Sequence, residues 1–380
     1  MNFRAYTGEG AGMRRYLDMA IGFAAGLATA ELVREAPPWR QSRGRAADAG
    51  TASDRPGAPS PTNAAEANEP GHGRHAERPG EIPARGWKDI VLRTFKEFSE
   101  DQIPLIAAGC TFYTLLALFP GIGAFVALYG LFADVGEARR HVQAMSAILP
   151  GGVISLIGDQ MIRAAAARHG GLSLTFIIGL AVALWSANGA MKAIITGLNI
   201  AYEEKEKRGI VGKIVIPLGF TVGLVAFALI AVALAAVGAG VGDRLGPGVG
   251  TLYALVYWPV MFAALTTGMT LLYRFGPSRA PVRWRWITWG SLISAVAWLA
   301  MSAAFSFYVG RFGHYDRDYG ALGAVIGFMT WAWLSSMVLL LGAELNSEIE
   351  HQTARDTTTG APLPLGARGA VMADTVGKAQ

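Results

Sequence analysis

An all-α, polytopic membrane bundle of about six spans with a disordered N-terminal arm is the fold class that the sequence predicts, and three observations predict it. Hydrophobic residues make up 52% of the 380 positions and charged residues only 16%, a balance outside the range of soluble domains. The charges are clustered, which leaves six charge-free runs of at least 23 residues, each long enough to cross ~30 Å of hydrocarbon at ~1.5 Å per residue. None of these runs alternates with period two, so they are expected to be helices that satisfy their own backbone groups in lipid rather than strands of a barrel.

Taken in order, residues 1–84 form the arm. Between 36 and 84 stand Pro37, Pro38, Pro56, Pro59, Pro61, Pro70, Pro79 and Pro83 among small and charged residues. Such a segment buries too little apolar area to offset the entropy of ordering its backbone. His72 and His75 fall within it and are expected to be unordered rather than metal-bound. Upstream, Arg14 and Arg15 precede a short apolar run, Met19 to Ala30; it is too short to span and is read as an interfacial helix or a loose terminus rather than a signal peptide.

The membrane domain is expected over residues 85–353, with spans in the runs 102–133, 169–191, 214–242, 245–273, 286–310 and 319–343. Residues 134–168 are expected to hold two short amphipathic helices turning at Pro150. The glycine cluster from Gly238 to Gly250 lacks the Gly-Lys-Ser/Thr ending of a phosphate loop and, with Pro247, predicts a tight hairpin between spans three and four. Residues 354–380 are expected to form a disordered tail.

Basic residues set the orientation. One side carries fourteen: Arg85, Lys88, Arg93, Lys96, Lys192, Lys205, Lys207, Arg208, Lys213, Arg274, Arg279, Arg283, Arg285 and Arg355. The other carries seven: Arg139, Arg140, Arg163, Arg168, Arg244, Arg311 and Arg317. Both termini are therefore expected in the cytoplasm. The same distribution argues against nucleic-acid binding, because the basic residues flank spans instead of forming a patch.

The polar residues near the spans supply the candidate site. Asn188, Lys192 and Asn199 at one end of span two, Glu344 and Asn346 at the same end of span six, and Tyr113 in span one read either as a polar vestibule or as interhelical hydrogen bonds and end caps. Lys192 and Glu344 are candidates to pair with each other. Pro120, flanked by Gly121 and Gly123, is a candidate helix break of the kind that builds midplane sites in transporters. Gly219-x-x-x-Gly223 and Gly323-x-x-x-Gly327 are read as close packing inside the bundle, with a homo-oligomer contact as the alternative. Trp284, Trp286 and Trp289 with Arg283 and Arg285 read as an interfacial anchor toward membrane lipids.

No catalytic, cofactor or metal constellation is legible. The single cysteine, Cys110, forms no intramolecular disulfide and no thiolate cluster. The six histidines are scattered, with no dense His/Asp ligand motif of the sort that a metal nuclease needs.

Four separated stretches give the chain a family likeness. Ala107-Ala108-Gly109-Cys110-Thr111-Phe112-Tyr113-Thr114-Leu115-Leu116 with Phe119-Pro120, Leu184-Trp185-Ser186-Ala187 followed by Gly197-Leu198-Asn199-Ile200-Ala201-Tyr202, Tyr319-Gly320-Ala321-Leu322-Gly323, and Leu341-Gly342-Ala343-Glu344-Leu345-Asn346 resemble, in order, the spans of the YihY/BrkB family of bacterial inner-membrane proteins. The resemblance covers Trp87 to His351. It implies a six-helix cytoplasmic-membrane protein of unsettled activity, some relatives carrying a virulence-associated name and some a ribonuclease label. The function expected is movement of a small solute or lipid across the inner membrane without an ATPase and without enzymatic activity; the alternative is a scaffold or envelope-integrity factor.

Overall fold

Six long helices occupy the places of the six charge-free runs. The computed structural model describes residues 65–132, 174–245, 247–312 and 321–380. An amphipathic helix α1 (Ala84–Glu100) precedes α2 (Ile103–Phe132), α3 (Leu174–Ala201), α4 (Ile210–Leu245), α5 (Pro247–Phe275), α6 (Trp284–Phe312) and α7 (Ala321–His351), and a single turn α8 (Val371–Asp374) follows. Helices α2 to α7 have 28 to 36 residues, so each is at least ~40 Å long. Among the described residues, α4 to α7 each hold a stretch long and apolar enough to cross a membrane; α1 and residues Ile103–Leu118 of α2 pass the same test only as a pair, bent by 61°, which is the geometry of a broken span or a re-entrant loop. The short apolar run at 19–30, the insertion at 134–168 and the loop between α6 and α7 lie outside the described residues.

Helix faces follow from side-chain chemistry. Leu105, Trp185, Trp258 and Phe307 are each more than 60% exposed, as residues facing hydrocarbon must be in a bundle surrounded by lipid. On the inner side, indole N–H groups tie the helices together: Trp298 donates to Ser335 Oγ (3.1 Å), Trp331 to Ser302 Oγ (3.2 Å) and Trp333 to the Pro104 carbonyl (2.9 Å). Tyr253 and Tyr257 donate to the carbonyls of Leu234 and Ala231, joining α5 to α4. Helix α7 is central, packing against α1, α2, α3, α6 and α8.

Several expectations change. The helical assignment of α2 runs through Pro120 to Phe132, and the sharp bend lies instead at Asp101–Gln102, where Gln102 takes a left-handed φ of 52°. A proline is accommodated inside a helix in lipid when surrounding groups take over the freed carbonyl. Gly219, Gly223 and Gly327 have open space where a side chain would stand, so they do not mediate packing inside the bundle. The close approaches fall on Gly197, Gly276, Gly290 and Gly342. Trp286 is buried in the core at 1% exposure, leaving Trp284 and Trp289 as the exposed indoles of the anchor. The hairpin holds: α4 ends at Leu245 and α5 starts at Pro247, a first-turn position that suits proline because its missing N–H has no helical partner there.

The largest correction concerns both flanks of the membrane domain. Residues 354–380, expected as a loose tail, are packed: Thr357, Thr358, Arg368, Ala370, Met372, Ala373 and Val376 are all buried. Thr358 forms an antiparallel bridge with Val282 of the α5–α6 loop, and Arg368 donates to the carbonyls of Ala354, Arg355, Leu363 and Ala373 at 2.6–3.1 Å. Residues 65–84 are also ordered. Arg74 is 1% exposed and bonds to the Gln352 carbonyl, and His72 meets Asp89 at 2.6 Å. Composition misleads here because a few buried apolar residues, Ala76, Ile82 and Met372 among them, are joined by buried charges and backbone carbonyls that bond to them.

Arg368→Ala is expected to release the tail. Loss of charge-assisted bonds worth ~1.5–3 kcal/mol in all should raise the rate of limited proteolysis within 356–380 by at least about tenfold, with α2 to α7 still protected. An unchanged cleavage rate would show that the arginine does not hold this segment.

Candidate functional site

The α7 C-terminal end concentrates the polar chemistry. Glu344, Asn346, Ser347, Glu348, Glu350, Gln352 and Thr353 are all at most 2% exposed. They are enclosed by α1, the 65–83 segment, the α3–α4 and α5–α6 loops and the tail. Glu348 pairs with Arg93 of α1 at 2.5 Å, and the same guanidinium donates to Gln352 Oε1 (2.6 Å) and the Lys378 carbonyl (2.9 Å). Glu350 takes a two-pronged pair from Arg279 at 2.5 and 2.7 Å. Burial opposes the charge on Arg279, yet the Glu350 carboxylate beside it raises its pKa overall.

Asn199 joins two loops. Its Oδ1 accepts the Ser278 N–H at 2.7 Å and its Nδ2 donates to Glu206 at 3.2 Å. Burial alone would raise the pKa of Glu206, but the guanidinium and backbone N–H of Arg208, with Asn199, hold its carboxyl at about 2. Because that value lies below the ordinary 4.5, the stabilisation is complete above about pH 4.5 and is lost as pH falls toward 2. Amide-exchange protection across 203–209, corrected for intrinsic rates, should fall over that interval, and Glu206→Gln should abolish the pH dependence.

The expected vestibule residues do not converge on one point. Asn199, Glu344 and Asn346 lie at the polar end, but Asn346 turns toward α6, where its amide fills the space beside Gly290. Gly197 of α3 is level with Leu340 of α7, which places Asn188 roughly 20 Å along the bundle from Glu344. Tyr113 packs its ring on Gly189, next to Asn188. Lys192 does not pair with Glu344; its ammonium stands 5.8 Å from the Trp185 ring centroid, on the lipid-facing side. Three of these side chains share a property nonetheless. Asn188 Oδ1, Glu344 Oε1 and both amide atoms of Asn346 are buried without a hydrogen-bond partner, an uncommon state for interior polar atoms.

Sequence reasoning missed Tyr202, Tyr273 and Ser294. Tyr202 is 1% exposed with an unpartnered hydroxyl, while the Tyr273 hydroxyl donates to the Leu339 carbonyl (2.8 Å) and lies 3.1 Å from Ser294 Oγ. A tyrosine at a span end ordinarily reads as an interfacial anchor, so nothing marked these as interior.

The model of the family described as Virulence factor BrkB matches residues 94–363, which contain α2 to α7. The chain belongs to the Virulence factor BrkB family. The chain is 29% identical over 248 residues to the "Putative ribonuclease-like protein YfkH" of Bacillus subtilis, covering 63% of this chain and 88% of that one. It is 28% identical over 271 residues to a "UPF0761 membrane protein" of Verminephrobacter eiseniae, covering 70% and 63%. A "UPF0761 membrane protein RSc1559" of Ralstonia nicotianae matches at 27% over 272 residues, covering 69% and 60%. The chain thus spans less than two thirds of the two UPF0761 proteins. No solved structure matches. The BrkB family match ends beyond α7, inside the tail, so part of the segment that encloses the polar end belongs to the family domain. Among the described residues, no group of three or more His, Cys, Asp or Glu side chains is placed to hold a metal ion.

Proposed function

We propose that this BrkB-family protein is an inner-membrane translocator that moves a small solute or lipid across the bilayer without an ATPase of its own, with both termini in the cytoplasm. The observation that carries this reading is the set of buried polar atoms without protein partners, Asn188 Oδ1 at mid-bundle and Glu344 Oε1 and the Asn346 amide at the polar end. A purely structural bundle has no reason to retain such groups, since each costs ~1–3 kcal/mol when unsatisfied; a polar ligand passing through the bundle offsets that cost. The basic residues on the loops that enclose the polar end support the cytoplasmic placement of that end.

The test starts from a comparison of lipids and metabolites between deletion and complemented cells and proceeds to flux of the leading candidate in proteoliposomes. Asn188→Leu and Glu344→Gln are each expected to slow flux at least about tenfold, equivalent to about 1.4 kcal/mol on the barrier, while the folded yield is retained. Absence of flux with correctly oriented wild-type protein would instead favour a scaffold.

A further inference from the structure

We infer that the corner where α5 ends and α6 begins is a binding site for the headgroup of an anionic phospholipid, with the Arg274 guanidinium as the group that holds the phosphate. The site lies on the outer face of the bundle and does not depend on the translocation reading.

Arg274 stands in the last turn of α5 and is half-buried. Its guanidinium carbon lies 4.2 Å from the centre of the Trp284 ring and 5.4 Å from that of Phe275, and the two rings meet edge to face at 6.4 Å. Both rings are exposed, at 50% and 44%. Stacking on aromatic faces holds a guanidinium in place without using its N–H donors. A guanidinium has five of these. Among the described residues, the Val282 carbonyl is the one acceptor that Arg274 meets, from Nη1 at 2.5 Å, and Nε has no partner. No carboxylate among the described residues pairs with it, whereas the acids of the same corner are taken: Glu206 by Arg208, which also reaches the Gly276 carbonyl, and Glu350 by Arg279. A fixed cation with spare donors and no acid of its own is complementary to an anion that offers several oxygens, and the planar fork suits a phosphate.

The surroundings point to a lipid rather than a soluble anion. Along α5, one and two turns back from Phe275, Leu271, Gly268 and Thr267 are exposed, and nothing stands within 4 Å of where a side chain on Gly268 would be. At the start of α6, Arg285 is exposed, and the exposed Trp289 and Leu292 follow it four and seven positions later, a spacing that puts all three on one stripe. Each helix thus carries a cation at its end and an outward strip of largely apolar residues below it, the order of headgroup and acyl chain in one leaflet. Tryptophan rings at such a boundary sit at headgroup level. Arg285 adds a second positive charge, also without a carboxylate partner among the described residues. Two such cations favour a headgroup of net negative charge over a zwitterionic one, whose ammonium group would find no free acid here.

The test uses the full chain in neutral-detergent micelles and titrates in dioleoyl phosphatidylglycerol, with dioleoyl phosphatidylcholine and glycerol phosphate as comparisons. Thermal unfolding midpoints and lipid adducts seen by native mass spectrometry are read together. Phosphatidylglycerol should raise the midpoint saturably, as a ligand of the folded state does, and should bind at least about fivefold more tightly than phosphatidylcholine. Glycerol phosphate, which has no acyl chain, should give no shift at the same concentration. Arg274→Met should weaken phosphatidylglycerol binding at least about tenfold. Arg274→Lys, which keeps the charge but loses the planar stack and the fork, should weaken it about three- to fivefold, and Trp284→Leu about threefold. Arg311→Gln, at the opposite end of α6, should leave it unchanged. Where a variant lowers the lipid-free midpoint, the adducts on its folded fraction still read the affinity. Equal affinity for phosphatidylcholine, a shift with glycerol phosphate alone, a loss in Arg311→Gln equal to that in Arg274→Met, or unaltered affinity in both Arg274 variants overturns the site.

Discussion

Arg279→Met is expected to destabilise the protein by about 3–5 kcal/mol, the range for leaving one member of a buried ion pair uncompensated. Both side chains of the Arg279–Glu350 pair are 2% exposed, so water cannot take over the freed carboxylate. The geometry is two-pronged, Thr357 Oγ1 donates to the same carboxylate, and the guanidinium lies over the Tyr202 ring at 5.1 Å. Removing the arginine therefore undoes a contact that ties the α5–α6 loop to α7, the tail and the end of α3 together. Equilibrium unfolding in mixed micelles, followed by helical signal, would measure it. Replacing both partners with apolar residues, Arg279→Met with Glu350→Leu, should recover most of the loss, because the desolvation cost of the charges disappears along with their attraction. If the double variant were as unstable as the single one, the pair's hydrogen bonds to Thr357 and the loop, rather than charge compensation, would dominate.

Gly342→Ala is expected to cost about 1–3 kcal/mol, the usual range for overpacking. A Cβ at position 342 would run into Ser294 Oγ and would come within 2.6 Å of the Tyr273 hydroxyl. Neither oxygen is free to move away. Ser294 Oγ donates to the Gly290 carbonyl at 2.7 Å, and Tyr273 is fixed through Leu339 and Ser294. The clash has a specific remedy: Ser294→Gly in the same chain removes the obstructing side chain and should restore part of the stability, giving a non-additive cycle. Strict additivity would mean that the two helices separate instead of colliding at this point.

Much of this fold was legible because lipid imposes simple rules. Charge-free runs at 102–133, 214–242, 245–273 and 286–310 match α2, α4, α5 and α6 within a few residues. The runs underestimate α3, which continues through Lys192 to Ala201, and α7, which continues through Glu344 to His351. Those extensions are helical because their polar residues have partners in loops and tail. The partners are remote in sequence, with 255 positions between Arg93 and Glu348 and 280 between His72 and Gln352. No local pattern reports such pairings, and an arginine bound for a buried carboxylate looks the same in sequence as one bound for water. The same gap explains the candidate site: Asn188 within an apolar run and Glu344 at the end of one stood out as polar groups, but their separation along the bundle, and the interior position of Tyr202, depend on how α3, α7 and α1 meet.

The enclosure of the α7 end carries a consequence for biosynthesis. Arg93 leaves the ribosome 255 residues before its partner Glu348, an interval of roughly 13–50 s at ~5–20 residues per second. During that interval Glu348 is not yet made, and the segment whose Gln380 N–H bonds to Asp89 is made later still. Docking of the α7 end against α1 is therefore expected to follow synthesis of both elements, as a late step in assembly. Reporter fusions placed directly after His351 remove the contacts that residues 354–380 make with the α5–α6 loop and α1, so they are expected to be cleaved faster by added protease than fusions placed after Gln380.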